Sequence, residues 1–285
     1  MKQFTWDDIE NLRDQTFCRT PALQLKELED AERFVYDTGF CFAFKMQKSE
    51  LPCMWHAAAG ERFPVYPVHI QHDPYIGFVW EAKDALPAAK KAYYGKALKK
   101  RPSFISLEFF PAFYFLQKRK NGAEAYVAEY MRGELSHEAK KIMDALFEQS
   151  PMVTADLKIA SRLAHPDRRA AFDKAMAELQ QRLYIVKIAE FYEPFTFLWD
   201  LVDRRFEVEI KISRKMTEQQ ARDKILLRYF ANLWVSNPVL IKRVLGWQPT
   251  DIESTLTSLV EQRKIVDDID IEGEKKPFYG IWRMK

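Results

Sequence analysis

From residue 136 onward, apolar residues recur every three to four positions, pause, and then recur at every second position, and the chain runs through this pattern twice. The first copy, "SHEAKKIMDALFEQSPMVTADLKIASRLAHPDRRAAFDKAMAELQQRLYIVKI", begins at Ser136. The second, "TEQQARDKILLRYFANLWVSNPVLIKRVLGWQPTDIESTLTSLVEQRKIVDDI", begins at Thr217, an offset of about 80 residues. Ser136 can cap a helix carrying Ala139, Ile142, Met143 and Leu146 on one stripe. Thr217 can cap one carrying Ile225, Leu226, Tyr229, Phe230 and Leu233. A short middle helix follows Thr154 in one copy and Asn237-Pro238 in the other. A third helix runs from Pro166, with Phe172, Met176 and Leu179 inward, and from Pro249, with Ile252, Leu256 and Leu259 inward. The period then changes: "RLYIVKIAEFYEPFTF" and "RKIVDDIDIEGEKKPFYGIWRM" are strand-like, with a turn at Gly273 in the second. Three helices followed by a hairpin is the winged-helix order, in which the third helix commonly enters the DNA major groove. The expectation is an α+β, mainly α chain of tandem winged-helix modules (helix-turn-helix plus β-hairpin) over 135–214 and 215–285, behind an N-terminal α/β region over 1–134.

Composition supports packed cores: 47% of the 285 residues are hydrophobic. The sequence carries no uncharged apolar run of membrane-spanning length, and "MKQFTWDDIENLRDQ" lacks the apolar stretch of a secretory signal. The chain is expected to be cytoplasmic, monomeric and away from membranes. Cys18, Cys41 and Cys53 are an odd number with no close pair, which offers no disulfide framework. Net charge is +3 but unevenly spread. Residues 83–120 hold ten Lys and Arg against Asp84 and Glu108, a local +8, which leaves the rest of the chain at −5. Such a block is a polyanion-binding surface or a solvated helix face. A helix opened by Pro87 would gather Lys91, Lys96, Lys99 and Lys100 opposite Tyr93, Tyr94, Ala97 and Leu98, with Lys90 on the wrong side.

The two copies differ in charge where a nucleic acid would touch. The third helix of the first holds Arg168, Arg169 and Lys174, whereas that of the second begins with Asp251 and Glu253. The first copy is therefore expected to face double-stranded DNA, along with Lys90, Lys91, Lys96, Lys99, Lys100 and Arg101. The second is structural or touches DNA through Lys275 and Lys276. Trp80 and Tyr93, close to the lysines, are candidates for stacking on an unpaired base. Winged helices also serve as protein-interaction modules, and the order of elements does not choose between these uses.

Other chemistry is sparse. In an extended "HIQHD", His69, Gln71 and Asp73 would share a side and could orient water; the alternative is a surface turn before Pro74. Cys53 and His56 have metal-like spacing without a second pair, so no metal is expected. Glu108 and Asp200 are single acids in apolar runs, placed for proton transfer or for pairing with an amide or with an arginine such as Arg204. No Gly-rich phosphate loop, nucleophile elbow or HExxH helix occurs, and neither a cofactor nor a nucleotide is expected.

The segments "TGFCFAF", "LPAAKKAYYGK" and "PSFISLEFFPAFYFL", with "FTFLWDLVDRRF" between the repeated modules, are similar to the AlkZ/YcaQ-type DNA glycosylases and their shorter AlkZ-related proteins. The resemblance covers most of the chain. It implies a third winged-helix module within the first 134 residues, a DNA channel, and hydrolysis of the N-glycosidic bond of alkylated or crosslinked bases. The family's Gln-x-Gln or Gln-x-Asp motif positions water beside a sugar on which cationic character develops. Here "QLK" keeps Gln24 and puts Lys26 in the third place, and "HIQHD" offers His69, Gln71 and Asp73 in another context. The rival expectation is a non-catalytic winged-helix DNA-binding or transcriptional regulatory protein that keeps the scaffold.

Overall fold

The computed structural model describes residues 3–44, 51–119 and 122–282; Lys120, the last residue of the basic segment, lies outside them. Helix α1 (Trp6–Thr16) precedes a first repeat of α2 (Leu28–Thr38), β1 (Phe40–Phe42), α3 (Met54–Ala59), α4 (Pro74–Ala88) and the hairpin β2 (Ala92–Leu98) and β3 (Arg101–Ser106). Two short helices, α5 (Phe110–Phe115) and α6 (Ala125–Met131), lead to the second. It comprises α7 (His137–Glu148), β4 (Met152–Val153), α8 (Thr154–Ala160), α9 (Arg169–Gln181), β5 (Ile185–Tyr192) and β6 (Phe195–Leu201). After α10 (Val202–Arg205) and α11 (Glu207–Ser213) comes the third: α12 (Glu218–Leu233), β7 (Val235–Ser236), α13 (Pro238–Leu245), α14 (Pro249–Glu261), β8 (Ile265–Ile269) and β9 (Phe278–Ile281). Each repeat forms a small antiparallel sheet in which the short strand after the first helix pairs with the last strand of the hairpin, giving β1-β3-β2, β4-β6-β5 and β7-β9-β8. The chain is mainly helical, and one order of elements occurs three times.

Local chemistry explains the helices. Ser136 Oγ accepts from Ala139 N at 3.3 Å, and Asn237 Oδ1 from Leu240 N at 3.0 Å. Thr217 and Gln220 form a reciprocal capping box. The stripes behind these caps are buried: Ala139, Ile142, Met143 and Leu146 in α7, and Ile225, Leu226, Tyr229, Phe230 and Leu233 in α12. Each large side chain so buried contributes roughly 1.5–3 kcal/mol. Thr154 departs slightly from its expected place. It begins α8, and its Oγ1 donates to Phe197 O at 3.2 Å rather than capping.

The helix expected to start at Pro87 does not form. Pro87 lies in the last turn of α4, and Ala92–Leu98 is strand β2, paired along β3. Its two tyrosines and buried Ala92 suit a pleated surface covered on both sides, and that packing overrides the helical spacing of the lysines.

The repeats are cross-braced. The third helix of each of the first two packs on the hairpin of the other, α4 on β5 and α9 on β2. At one contact, Lys83 and Lys187 each sit at 2.8 Å from Asp84 Oδ1 and also pair with Glu190, while Tyr192 OH donates to Asp84 Oδ2 at 2.6 Å. Lys187 and Glu190 are almost fully enclosed. Burial raises the Asp84 carboxyl pKa, but the hydrogen-bonded network of Glu190, Lys187, Lys83 and Tyr192 outweighs it and holds the group well below the usual carboxylate range.

The chain start belongs to the far end of the molecule. Phe4 bridges Ile271, and Phe4 and Ile9 complete an apolar cluster with Val235, Val266, Ile269 and Phe278. Arg13 Nε donates to Leu233 O at 2.9 Å, and Thr16 Oγ1 to Asn232 O at 2.7 Å. Residues 3–16 thus pack on the third repeat. No helix among the described residues is long and apolar enough to cross a membrane.

Candidate nucleic-acid interface

The hairpin β2–β3 turns through Lys99 and Lys100 at φ +51° and +57°, with Leu98 paired to Arg101. A two-residue turn with both φ positive favours Asn-Gly, so two lysines occupy it at a conformational cost. Lys100 and Arg101 are exposed and Lys96 is half-buried. None of these three has an ion-pair partner among the described residues. Lys90 and Lys91 pair with acids of the chain instead, Lys90 with Glu209 at 3.5 Å and Lys91, at the surface, with Glu32 at 3.0 Å. Four of the six expected cations therefore meet at one hairpin tip.

Tyr93 corrects the stacking expectation. It is fully buried, its ring lies against Phe110 and Phe206, and its hydroxyl donates to Gln180 O at 3.0 Å. No base can reach it. Trp80 is half-buried at the edge of the first repeat's core. In the second repeat Arg168, Arg169 and Lys174 are exposed on and just before α9, with Glu138 4.0 Å from Arg168. Lys275 and Lys276 are exposed between β8 and β9. Asp251 in α14 is paired with Arg222 at 2.8 Å.

The water-positioning candidates separate. Residues 70–72 are a 3₁₀ turn, not an extended segment, and His69, Gln71 and His72 are exposed. Asp73 is spent as the cap of α4, accepting from Ile76 N at 2.7 Å, because the residue before Pro74 is held extended and ready to cap. Gln24 instead lines a cavity of about 520 Å³ between α1, α2 and α12, with Gln15, Cys18, Asp37 and Arg228 around it. Its Nε2 donates to Ala58 O at 2.9 Å, which fixes the amide and turns Oε1 to the other side. Gly60, at φ +67°, lies so close that a Cβ there would sit 3.1 Å from Gln24 Cβ. Lys26 is exposed. Asp30 accepts from the amides of Lys26 and Glu27, and these bonds keep its carboxyl below the usual range. Burial, aided by Asp37, pushes the Cys18 thiol up to about 11, so it is neutral near pH 7.

Asp37, exposed at the cavity, escaped the sequence reading. The one signal for it was the seven-residue spacing from Asp30, two helical turns along α2. The single acids take ordinary partners: Glu108 pairs with Lys224 at 3.2 Å, and Asp200 accepts from Leu201 N at 2.8 Å. Among the described residues no three His, Cys, Asp or Glu side chains gather to hold a metal.

A mainly helical chain that repeats one helix-and-sheet unit three times, with a basic hairpin and a cavity at Gln24, defines the class. The chain belongs to the AlkZ-related family, whose sequence model matches residues 25–236, as the resemblance implied. Among solved structures it is similar to the Streptomyces sahachiroi DNA glycosylase AlkZ, with a TM-score of 0.63 and 11% identity over 98% of this chain and 70% of that one. At that identity the likeness is one of fold. No curated protein matches the chain.

Proposed function

We propose that the three repeats are winged-helix modules that hold double-stranded DNA, and that the chain is a DNA-repair glycosylase hydrolysing the N-glycosidic bond of an alkylated or crosslinked base. The observation that carries this reading is the hairpin tip. Lys96, Lys100 and Arg101 stand together without carboxylate partners among the described residues of a member of the AlkZ-related family, and phosphates are the anions that would relieve them. The cavity beside Gln24 is the reaction site. A cationic base leaves with the bonding electrons of the glycosidic bond, and positive charge develops on the sugar. The Asp37 carboxylate stabilises that charge, and Gln24 Oε1 accepts a hydrogen bond from the attacking water. The water's proton passes to Asp37 and then to solvent. Lys26, where the family motif carries Gln or Asp, favours the second reading of a DNA-binding protein without the chemistry.

Duplex DNA containing N7-methylguanine, incubated with the protein and then with alkali, tests this. Strand cleavage at the lesion, reduced on the order of 100-fold in Gln24→Ala and in Asp37→Asn, is the expected result. Salt-sensitive binding with no cleavage selects the second reading.

A further inference from the structure

A separate cavity of about 380 Å³ opens where the end of α5, the end of α11 and the start of α12 meet. Tyr114 and Ile210 give it an apolar wall, and its charged lining residues among those described are Lys118, Arg119, Arg214 and Glu218, three cations and one acid. Both α11 and α12 pack on α5, which brings the charges together from two distant stretches of chain. Neither arginine has a carboxylate partner among the described residues. Arg119 is fixed in place. Its guanidinium lies 4.7 Å from the centre of the Tyr114 ring and 4.1 Å from that of Tyr184, and Nη2 donates to Leu183 O at 2.9 Å. Nε and Nη1 find no acceptor among the described residues. A guanidinium keeps its charge when enclosed, and aromatic walls screen that charge poorly.

Arg214 is exposed at the end of α11. Burial raises the pKa of the Tyr114 hydroxyl, Arg119 and Arg214 oppose that rise, and Asp203, which accepts from the hydroxyl at 2.7 Å, adds to it. The two arginines therefore bear on one spot. Lys118 is held 2.9 Å from Glu218, which also pairs with Arg222 at 2.5 Å. Glu218 is the first residue of the 16-residue α12, so the positive end of that helix borders the same cavity. Arginine donors from two elements call for an anion whose acceptor oxygens spread in three dimensions. A phosphate group meets that demand better than a planar carboxylate.

We infer that this cavity binds a phosphate group, drawn in by Arg119 and taken by Arg214 with Lys118 beside it, at a site separate from the hairpin tip and from Gln24. The site stands apart from the DNA reading above, because the same residues take a backbone phosphate of a nucleic acid or the phosphate of a small molecule.

Inorganic phosphate, titrated into the protein at constant ionic strength and followed by phosphorus NMR, is the first probe. Its line is expected to broaden with the wild type and equally with Lys96→Glu/Lys100→Glu/Arg101→Glu. Arg214→Glu, changed at an exposed position, is expected to bind phosphate roughly tenfold more weakly. Glu218→Gln removes the carboxylate that competes for Lys118 and is expected to tighten phosphate several-fold, a gain that a merely structural role would not produce. No broadening with the wild type, broadening that only the hairpin variant loses, or unchanged affinity in both Arg214→Glu and Glu218→Gln overturns the site. Duplex DNA then assigns the source. A slope of log affinity against log salt smaller by about one in Arg214→Gln identifies a nucleic-acid phosphate, and an unchanged slope with phosphate binding intact identifies a small phosphorylated molecule. A wild-type chain that binds phosphate but no duplex sinks the DNA reading and leaves this site standing.

Discussion

The hairpins of the first two repeats share a topology and have opposite surfaces. The tip of β2–β3 is Lys99, Lys100 and Arg101, while that of β5–β6 exposes Phe191, Tyr192 and Phe195 around Glu193. The second hairpin spends its cation, Lys187, internally with Asp84 and Glu190. The first leaves Lys96, Lys100 and Arg101 without an ion-pair partner among the described residues. One frame thus serves twice, once to brace the molecule and once to present charge, and the difference lies in whether an acid on the neighbouring repeat meets the lysine.

Breaking the brace has the largest expected effect. Lys83→Ala/Lys187→Ala strips the enclosed Glu190 of both lysines that pair with it and is expected to cost about 3 kcal/mol in urea unfolding, because an uncompensated enclosed charge is expensive. Charge reversal of the presenting tip, Lys96→Glu/Lys100→Glu/Arg101→Glu, is expected to weaken duplex binding on the order of 100-fold. It should also reduce the slope of log affinity against log salt by about three. Glu193→Lys at the other tip should leave both nearly unchanged, and equal losses at the two tips would erase the distinction.

The brace also has a pH signature. The folded Asp84 carboxyl titrates below its unfolded value, so its contribution is complete above the unfolded carboxylate range near pH ~4 and is lost as pH falls further. Acid titration of stability should show this loss, and Asp84→Asn, weaker at neutral pH, should flatten it. The smallest effect is at the turn. Lys99→Asn/Lys100→Gly should stabilise the fold by about 1 kcal/mol in thermal unfolding while weakening DNA binding, since those residues accept positive φ more easily.

The connection between the second and third helices sharpens the contrast further. It spans 60–73 in the first repeat, 161–168 in the second and 246–248 in the third. "RFPVYPVHI" stands in the sequence with its apolar residues between prolines, directly before the polar "QHD". Apolar residues are ordinarily core, and only the fold reveals which ones find nothing to pack against.

The sequence by itself determined what is local. Caps at Ser136, Thr217 and Asn237, the stripes behind them and the two later hairpins depend on contacts within a few residues, so spacing and residue type suffice. The tertiary structure decided what depends on partners far along the chain. It made Ala92–Leu98 a strand by supplying β3 and α9, and it closed residues 3–16 onto the third repeat. It consumed Lys90, Lys91 and Lys187 on acids from other elements and set Asp37 and Gln24 on one cavity. A lysine's charge is written in its codon. Whether that charge is already neutralised depends on which carboxylate folding brings within about 4 Å, where two charges interact strongly enough to matter.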